Sequence, residues 1–277
     1  MTNLIAALIL GIVQGLTEFL PVSSSAHLVM LPQVMGLQSP LLNSLAFGVV
    51  LHAGTLVAVT VYYWRDVVRL LGAWLRSWRG GEAFRDPDAR LAWYLILATL
   101  PAVLAALAWE DAFSTVFRQP AWVAVWLVVF GLVMGMAERW SGQRRDLSDL
   151  RVGEALLIGA AQALALMPGV SRSGIILTAA LALNFRRGEA ARLAFLLSLP
   201  AIGGSFVYEL KSLLAAGADQ EWLVLAVGLL AAALTGYAAI KFLLAYLQRR
   251  TLYIFVLYRL GVGLLVLAWA FLTRPVG

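Results

Sequence analysis

Six apolar runs in this chain are long enough to cross a lipid bilayer, at roughly 41–63, 91–109, 121–138, 190–210, 222–247 and 252–272. A span needs about 20 mostly apolar residues. Hydrocarbon offers no partner to a bare backbone amide, so such runs fold as helices. Four further apolar runs are shorter. Residues 4–13 and 26–37 flank the polar turn Pro21-Val22-Ser23-Ser24-Ser25, and residues 153–167 and 174–184 flank Pro168-Gly169-Val170-Ser171-Arg172-Ser173. Short runs around a polar turn read as re-entrant hairpins. The expected fold is all-α, with six transmembrane helices and two re-entrant helical hairpins in a single membrane domain covering residues 1–277. Charged residues make up 13% of the chain, against about 25% in soluble proteins. The net charge of +6 calls for no nucleic-acid partner, because cytoplasmic loops of membrane proteins collect Lys and Arg. The absence of cysteine excludes disulfides, thiolate metal sites and cysteine nucleophiles. No basic segment precedes the apolar start Met1–Leu10, so no cleavable leader is expected.

The two hairpin regions resemble each other. Gly11-Ile12-Val13-Gln14 matches Gly159-Ala160-Ala161-Gln162 at an offset of 148, with a one-residue slip before the proline of each turn. Three candidate spans follow each hairpin, which divides the chain into halves of about 1–140 and 150–277. An odd number of spans makes the second hairpin enter from the side opposite the first, an inverted repeat of the kind seen in transporters. Loop charge gives an independent orientation. Segments 65–90, 139–151, 184–192 and 248–250 hold fifteen Lys and Arg, whereas 110–120, 211–221 and the two ends hold only Arg118, Lys211 and Arg274. The Arg-rich side is therefore cytoplasmic. Both termini and the mouth of the first hairpin face outward, and the two hairpin tips meet near the midplane.

Irregular backbone at membrane depth must line a protein-enclosed or wet cavity, and ionisable residues there are functional suspects. Glu18, His27 and Arg172 come first, with Glu154, His52 and Lys241 behind them. Arg172 sits in Gly169-Val170-Ser171-Arg172-Ser173-Gly174, a turn that opens a helix. Its backbone amides, hydroxyls and guanidinium suit a phosphate, and the alternative is a strut pairing with a carboxylate. Gln14 and Glu18 share one helix face. They can ligate Mg²⁺ or Ca²⁺, while Glu18 can instead act as a base or pair with Arg172. Ser23, Ser24 and Ser25 can bind phosphate, supply a nucleophile or cap the following helix. His27 can be an acid or base or a structural histidine. His52 and Asn43 read as interhelical hydrogen-bonding residues. The Gly203-Gly204-Ser205 cluster after Pro200 reads as close helix packing or a broken helix.

The run from Gln14 through Glu18, Pro21 and Ser24 to His27 resembles the first signature of the bacterial undecaprenyl-pyrophosphate phosphatases of the BacA (UppP) type. The run Pro168-Gly-Val-Ser171-Arg172-Ser173-Gly174 resembles the second, and Phe195-Leu-Leu-Ser-Leu-Pro200 is also similar. The resemblance covers essentially the whole chain. It implies hydrolysis of C55 undecaprenyl pyrophosphate to undecaprenyl phosphate and phosphate in the bacterial inner membrane, a divalent cation and a link to bacitracin resistance. The family's acidic pair falls on Gln14 and Glu18, its serine on Ser24, its histidine on His27 and its serine–arginine pair on Ser171 and Arg172. Ser23, Ser25, Gly169 and Ser173 complete the expected substrate contacts. The chain departs from the family at Gln14, an amide at an acidic position, and at Ile176, where the family usually has threonine. Thr178 lies on a different helix face. The expected partners are the lipid substrate and membrane lipid, and a homodimer is compatible with such a protein. The rival reading on architecture alone is a polyprenyl-phosphate flippase or secondary transporter.

Overall fold

The computed structural model describes residues 2–80, 85–109, 119–215 and 221–272. Arg118, Arg274 and parts of the connections 110–120 and 211–221 lie outside the described residues. The described residues form helices joined by short connections: α1 Asn3–Phe19, α2 Ser24–Val34, α3 Leu45–Tyr62, α4 Trp64–Gly80, α5 Pro87–Ala108, α6 Pro120–Trp140, α7 Val152–Ala163, α8 Arg172–Ala182, α9 Arg187–Ala215, α10 Trp222–Leu247 and α11 Tyr253–Leu272. Helices α5, α6, α9, α10 and α11 are each long and apolar enough to cross a membrane. Helix α3 has 18 residues, about 27 Å at 1.5 Å per residue, close to the thickness of the hydrocarbon core. The chain is thus an all-α polytopic membrane protein.

Segment 65–90, expected as a loop, instead contains helix α4, bent by 85° from α3. Its apolar residues are interrupted by arginines, so no continuous apolar run marks it. They nevertheless recur at helical spacing: Trp64, Val68, Leu71, Leu75 and Trp78 all lie exposed along one stripe. Helix α9 runs through Pro200 without a break. Nothing lies within 4 Å of a Cβ built at Gly203 or Gly204, so that cluster is neither a close packing point nor a helix break.

Helices α1 and α2 form the first hairpin, and α7 and α8 form the second. Their turns share one geometry. Ser23 has φ 75° and ψ 94°, and its hydroxyl accepts a hydrogen bond from the Ala26 amide. Ser171 has φ 73° and ψ 115°, and its hydroxyl accepts from the Gly174 amide. Positive φ is uncommon for a residue with a Cβ, so its recurrence with the same cap marks equivalent positions. Both pairs lie 148 residues apart, the offset of Gly11 and Gly159. The expected slip before proline is therefore corrected: Pro21 corresponds to Gly169, and Ser24 to Arg172.

Each hairpin rests on the other half of the chain. Helix α1 packs along α10, and α7 along α5. Glycines make this approach feasible. A Cβ at Gly15 would run into Thr235 and Ala232, and one at Gly159 would run into the Ala98 backbone. On the Arg-rich side the charges pair. Arg187 grips Glu138 with two guanidinium nitrogens, Arg192 donates to Asp66 at 2.7 Å and Arg186 to Asp146 at 2.9 Å. Glu154 belongs to this network, held by both Nη atoms of Arg145 at 2.7 and 2.9 Å. The Arg145 hydrogen bonds hold its carboxyl below the ordinary carboxylate range. Lys241 is exposed on α10.

Candidate active site

Glu18, on the last turn of α1, is the point where both hairpins converge. It is buried, and four groups surround its carboxylate. Gln14 Nε2 donates to Oε2 at 3.0 Å from one turn back. Ser24 Oγ donates to Oε2 at 2.6 Å from the start of α2. Arg172 Nη1 stands 3.7 Å from Oε1 at the start of α8, and His52 Nε2 stands 3.7 Å from Oε2 on α3. Ser24 and Arg172, equivalent in the repeat, thus approach the same carboxylate from two helix N-termini. Those termini carry unpaired amides and the positive ends of the helix dipoles, an arrangement suited to an anion. Arg172 Nη1 is buried and finds no hydrogen-bond partner among the described residues, so it keeps donors for a ligand.

The remaining serines split by task. Ser23 and Ser171 are buried caps. Ser173 donates to Leu20 O at 3.2 Å, tying the second hairpin to the first. Ser25 lines the cavity beside Arg172. Gly169 takes φ 103° and lies against the Val123 carbonyl of α6, where a Cβ would clash. Thr178 donates to Gly174 O within its own helix, so it supplies no substitute for the threonine missing at Ile176, which is itself fully buried. His27 is held at both nitrogens. Nδ1–H donates to Ser23 O at 2.7 Å, and Tyr258 OH donates to Nε2 at 2.7 Å from α11. Phe195 meets Phe19 edge-on at 5.5 Å behind the site.

One residue that sequence reasoning passed over, and one that it read as an interhelical bond, belong here. Arg259 on α11 is 1% exposed, with backbone carbonyls as its hydrogen-bond partners. It donates to Pro21 O at 3.3 Å, Gly169 O at 2.8 Å and Leu127 O at 3.3 Å. Pro21 and Gly169 are equivalent turn positions, so one guanidinium staples the two hairpins. His52, expected as an interhelical bond, faces Glu18 and lines the cavity. That cavity holds about 700 Å³. Ser25, His52 and Arg172 are among its polar lining residues, and Leu28, Phe47, Ile202 and Phe206 among its apolar ones. Gln14 Oε1 is buried, with no hydrogen-bond partner among the described residues. With the Glu18 carboxylate it offers hard oxygen donors of the kind Mg²⁺ or Ca²⁺ takes. Among the described residues no three His, Asp or Glu side chains converge, so any such ion's shell would be completed by further donors such as substrate oxygens or water.

Comparison with known proteins places this geometry in a family. Residues 7–265 match the model of the bacitracin resistance protein BacA. An undecaprenyl-diphosphatase of Desulforudis audaxviator is 43% identical over 272 residues, covering 98% of this chain and 99% of that protein. One from Rubrobacter xylanophilus is 45% identical over 97% of this chain and 98% of its own length. One from Myxococcus xanthus is 42% identical over 96% and 88%.

Proposed function

This chain belongs to the bacitracin-resistance BacA family, and from that premise we propose that its buried site removes the terminal phosphate of undecaprenyl pyrophosphate, leaving undecaprenyl phosphate. The observation that carries the reading is the convergence of Ser24 and Arg172 on Glu18 beside a part-polar, part-apolar cavity that Arg172 lines. The diphosphate lies against Arg172, His52 and Ser25, and the first isoprene units lie against apolar lining residues such as Leu28 and Phe206. Arg172 grips the terminal phosphate with two guanidinium donors and offsets the charge that develops on it, the main need of phosphoryl transfer. Ser24 is the nucleophile, with Glu18 as its base within hydrogen-bond reach. Its oxygen bonds to the terminal phosphorus as the bond to the bridging oxygen breaks, its proton passes to Glu18, and undecaprenyl phosphate leaves. Water then splits the phosphoserine. Glu18 and Gln14 would hold a divalent cation, Mg²⁺ or Ca²⁺, which supplies further charge neutralisation on the diphosphate. His27, locked between Ser23 and Tyr258, shapes the turn that presents Ser24.

The protein sits in the bacterial inner membrane with the cavity opening to the outer face. In support, the cavity is lined by the N-terminal half of α3 and the connection before it, including Leu37, Asn43 and Ser44, whereas the Arg-rich α4 continues from the other end of α3. The direct test is phosphate release from a polyprenyl diphosphate by purified protein in detergent. Steady release that ends with polyprenyl monophosphate is expected. Binding of the lipid without release would leave a lipid carrier in place of a phosphatase.

A further inference from the structure

His52 carries the arrangement of a metal-ligating histidine. Such a residue donates one ring N–H to a carbonyl or carboxylate, which fixes the tautomer and aims the lone pair of the other nitrogen at the ion. His52 Nδ1–H donates to the Gly48 carbonyl at 2.8 Å within α3, so in the neutral ring Nε2 bears the lone pair. That nitrogen stands 3.7 Å from Glu18 Oε2, and His52 lines the cavity. A lone pair and a carboxylate oxygen at this separation can share a cation, for which Oε2 would exchange its hydrogen bonds from Gln14 and Ser24. Two ligands each about 2.1 Å from a shared ion can be no more than about 4.2 Å apart, and the observed gap lies inside that limit. His27, the other histidine of the chain, has the same Nδ1–H to carbonyl bond but gives its Nε2 to Tyr258.

We propose that His52 supplies a nitrogen ligand to the divalent cation at Glu18, so that the site is Glu18, His52 and Gln14 with the remaining ligands from diphosphate and water. This rests on the cation reading above and deepens it. The amide at Gln14 leaves the site one carboxylate short of an acidic pair, and the imidazole makes up the donor count from α3. A half-turn of the Gln14 amide would exchange Nε2 for Oε1 beside Glu18, at the loss of one hydrogen bond, because Oε1 has no partner to give up. An imidazole among the ligands favours Mn²⁺ over Ca²⁺, which takes oxygen almost exclusively.

The test uses Mn²⁺ as a paramagnetic probe of the purified full-length protein, stripped of metal and titrated with and without inorganic pyrophosphate. Because the chain has two histidines, electron-spin-echo modulation from ¹⁵N-histidine-labelled protein assigns the nitrogen. The expected result is one histidine coupling in the wild type and in His27→Gln, lost in His52→Ala, with Mn²⁺ affinity reduced by at least about tenfold. His52→Gln, which keeps an oxygen donor and the side-chain bulk, should bind Mn²⁺ weakly without the histidine coupling, and it guards against a variant that fails to fold. Mn²⁺ binding without histidine coupling, or coupling that persists in His52→Ala, would overturn the role of His52 and leave the cation reading intact. No Mn²⁺ binding by a protein that still hydrolyses polyprenyl diphosphate in EDTA would overturn both, and would leave the phosphatase reading standing.

Discussion

Arg172 and Arg259 both stand where the two hairpins meet, yet they ask different things of a guanidinium. Arg172 is partly accessible from the cavity and retains unmatched donors. Arg259 is sealed, with its hydrogen bonds on three carbonyls. The first suits a bidentate anion and the second a fixed backbone. Arg172→Ala and Arg172→Lys should therefore both lower kcat by about 10²-fold or more, because lysine offers a point charge without the planar fork. Release of phosphate by folded protein of unchanged elution volume measures this, and near-normal turnover in the lysine variant would remove the bidentate role. Much of this site was legible in the sequence. Gln14, Glu18, Ser24 and Arg172 stand out because polar and ionisable letters interrupt apolar runs at turn positions. Arg259 was not legible as a site residue, and His52, a secondary suspect, was read as an interhelical bond, because each is a single letter inside a span. Arg259 finds a partner at Pro21, 238 residues away, and His52 finds Glu18 across a helix interface. No local spacing encodes either contact.

At the scale of elements, the hairpins hold their tips together because their helices can approach foreign helices closely. Membrane helices associate through such small-residue contacts, since lipid supplies no hydrophobic drive between them. Gly15 lies where α1 meets Thr235, Ala232 and Gly236 of α10. Gly15→Ala has nowhere to put its methyl group against that backbone, so α1 must shift. The expected cost is about 1–3 kcal/mol, seen as a lowered unfolding temperature in detergent together with lost activity, because α1 carries Gln14 and Glu18. Gly203→Ala, with nothing within 4 Å of the new methyl, is the control and should unfold as the wild type does. Equal unfolding temperatures for the two variants would mean that the α1–α10 contact yields freely. Short apolar runs around polar turns marked the hairpins, and the Gly-x-x-Gln repeat related them. It could not reveal that each hairpin leans on the opposite half, which depends on pairing between helices far apart in the chain. Helix α4 escaped for a different reason: its amphipathic period is clear, but a search for continuous apolar runs does not detect it.

For the whole molecule, orientation decides whether the cavity admits its lipid from the outer leaflet. The 15 cationic residues of the Arg-rich loops argue that α4 and the 141–151 connection face the cytoplasm, and the cavity opens at the other end of α3. Because the chain contains no cysteine, single cysteines report position without background. Gln38 and Ser148 are both exposed and stand on opposite sides in this arrangement. Gln38→Cys should react with a membrane-impermeant thiol reagent added to intact cells, and Ser148→Cys should react only after the membrane is opened. Ser25→Cys, which lines the cavity, should react from outside more slowly, and pyrophosphate should protect it by occupying the space beside Arg172. The three positions separate two errors. Labelling of Ser148→Cys in intact cells would invert the whole molecule. Correct labelling at Gln38 and Ser148, with Ser25→Cys reached only from the cytoplasmic side, would keep the orientation and move the mouth of the cavity to the inner face.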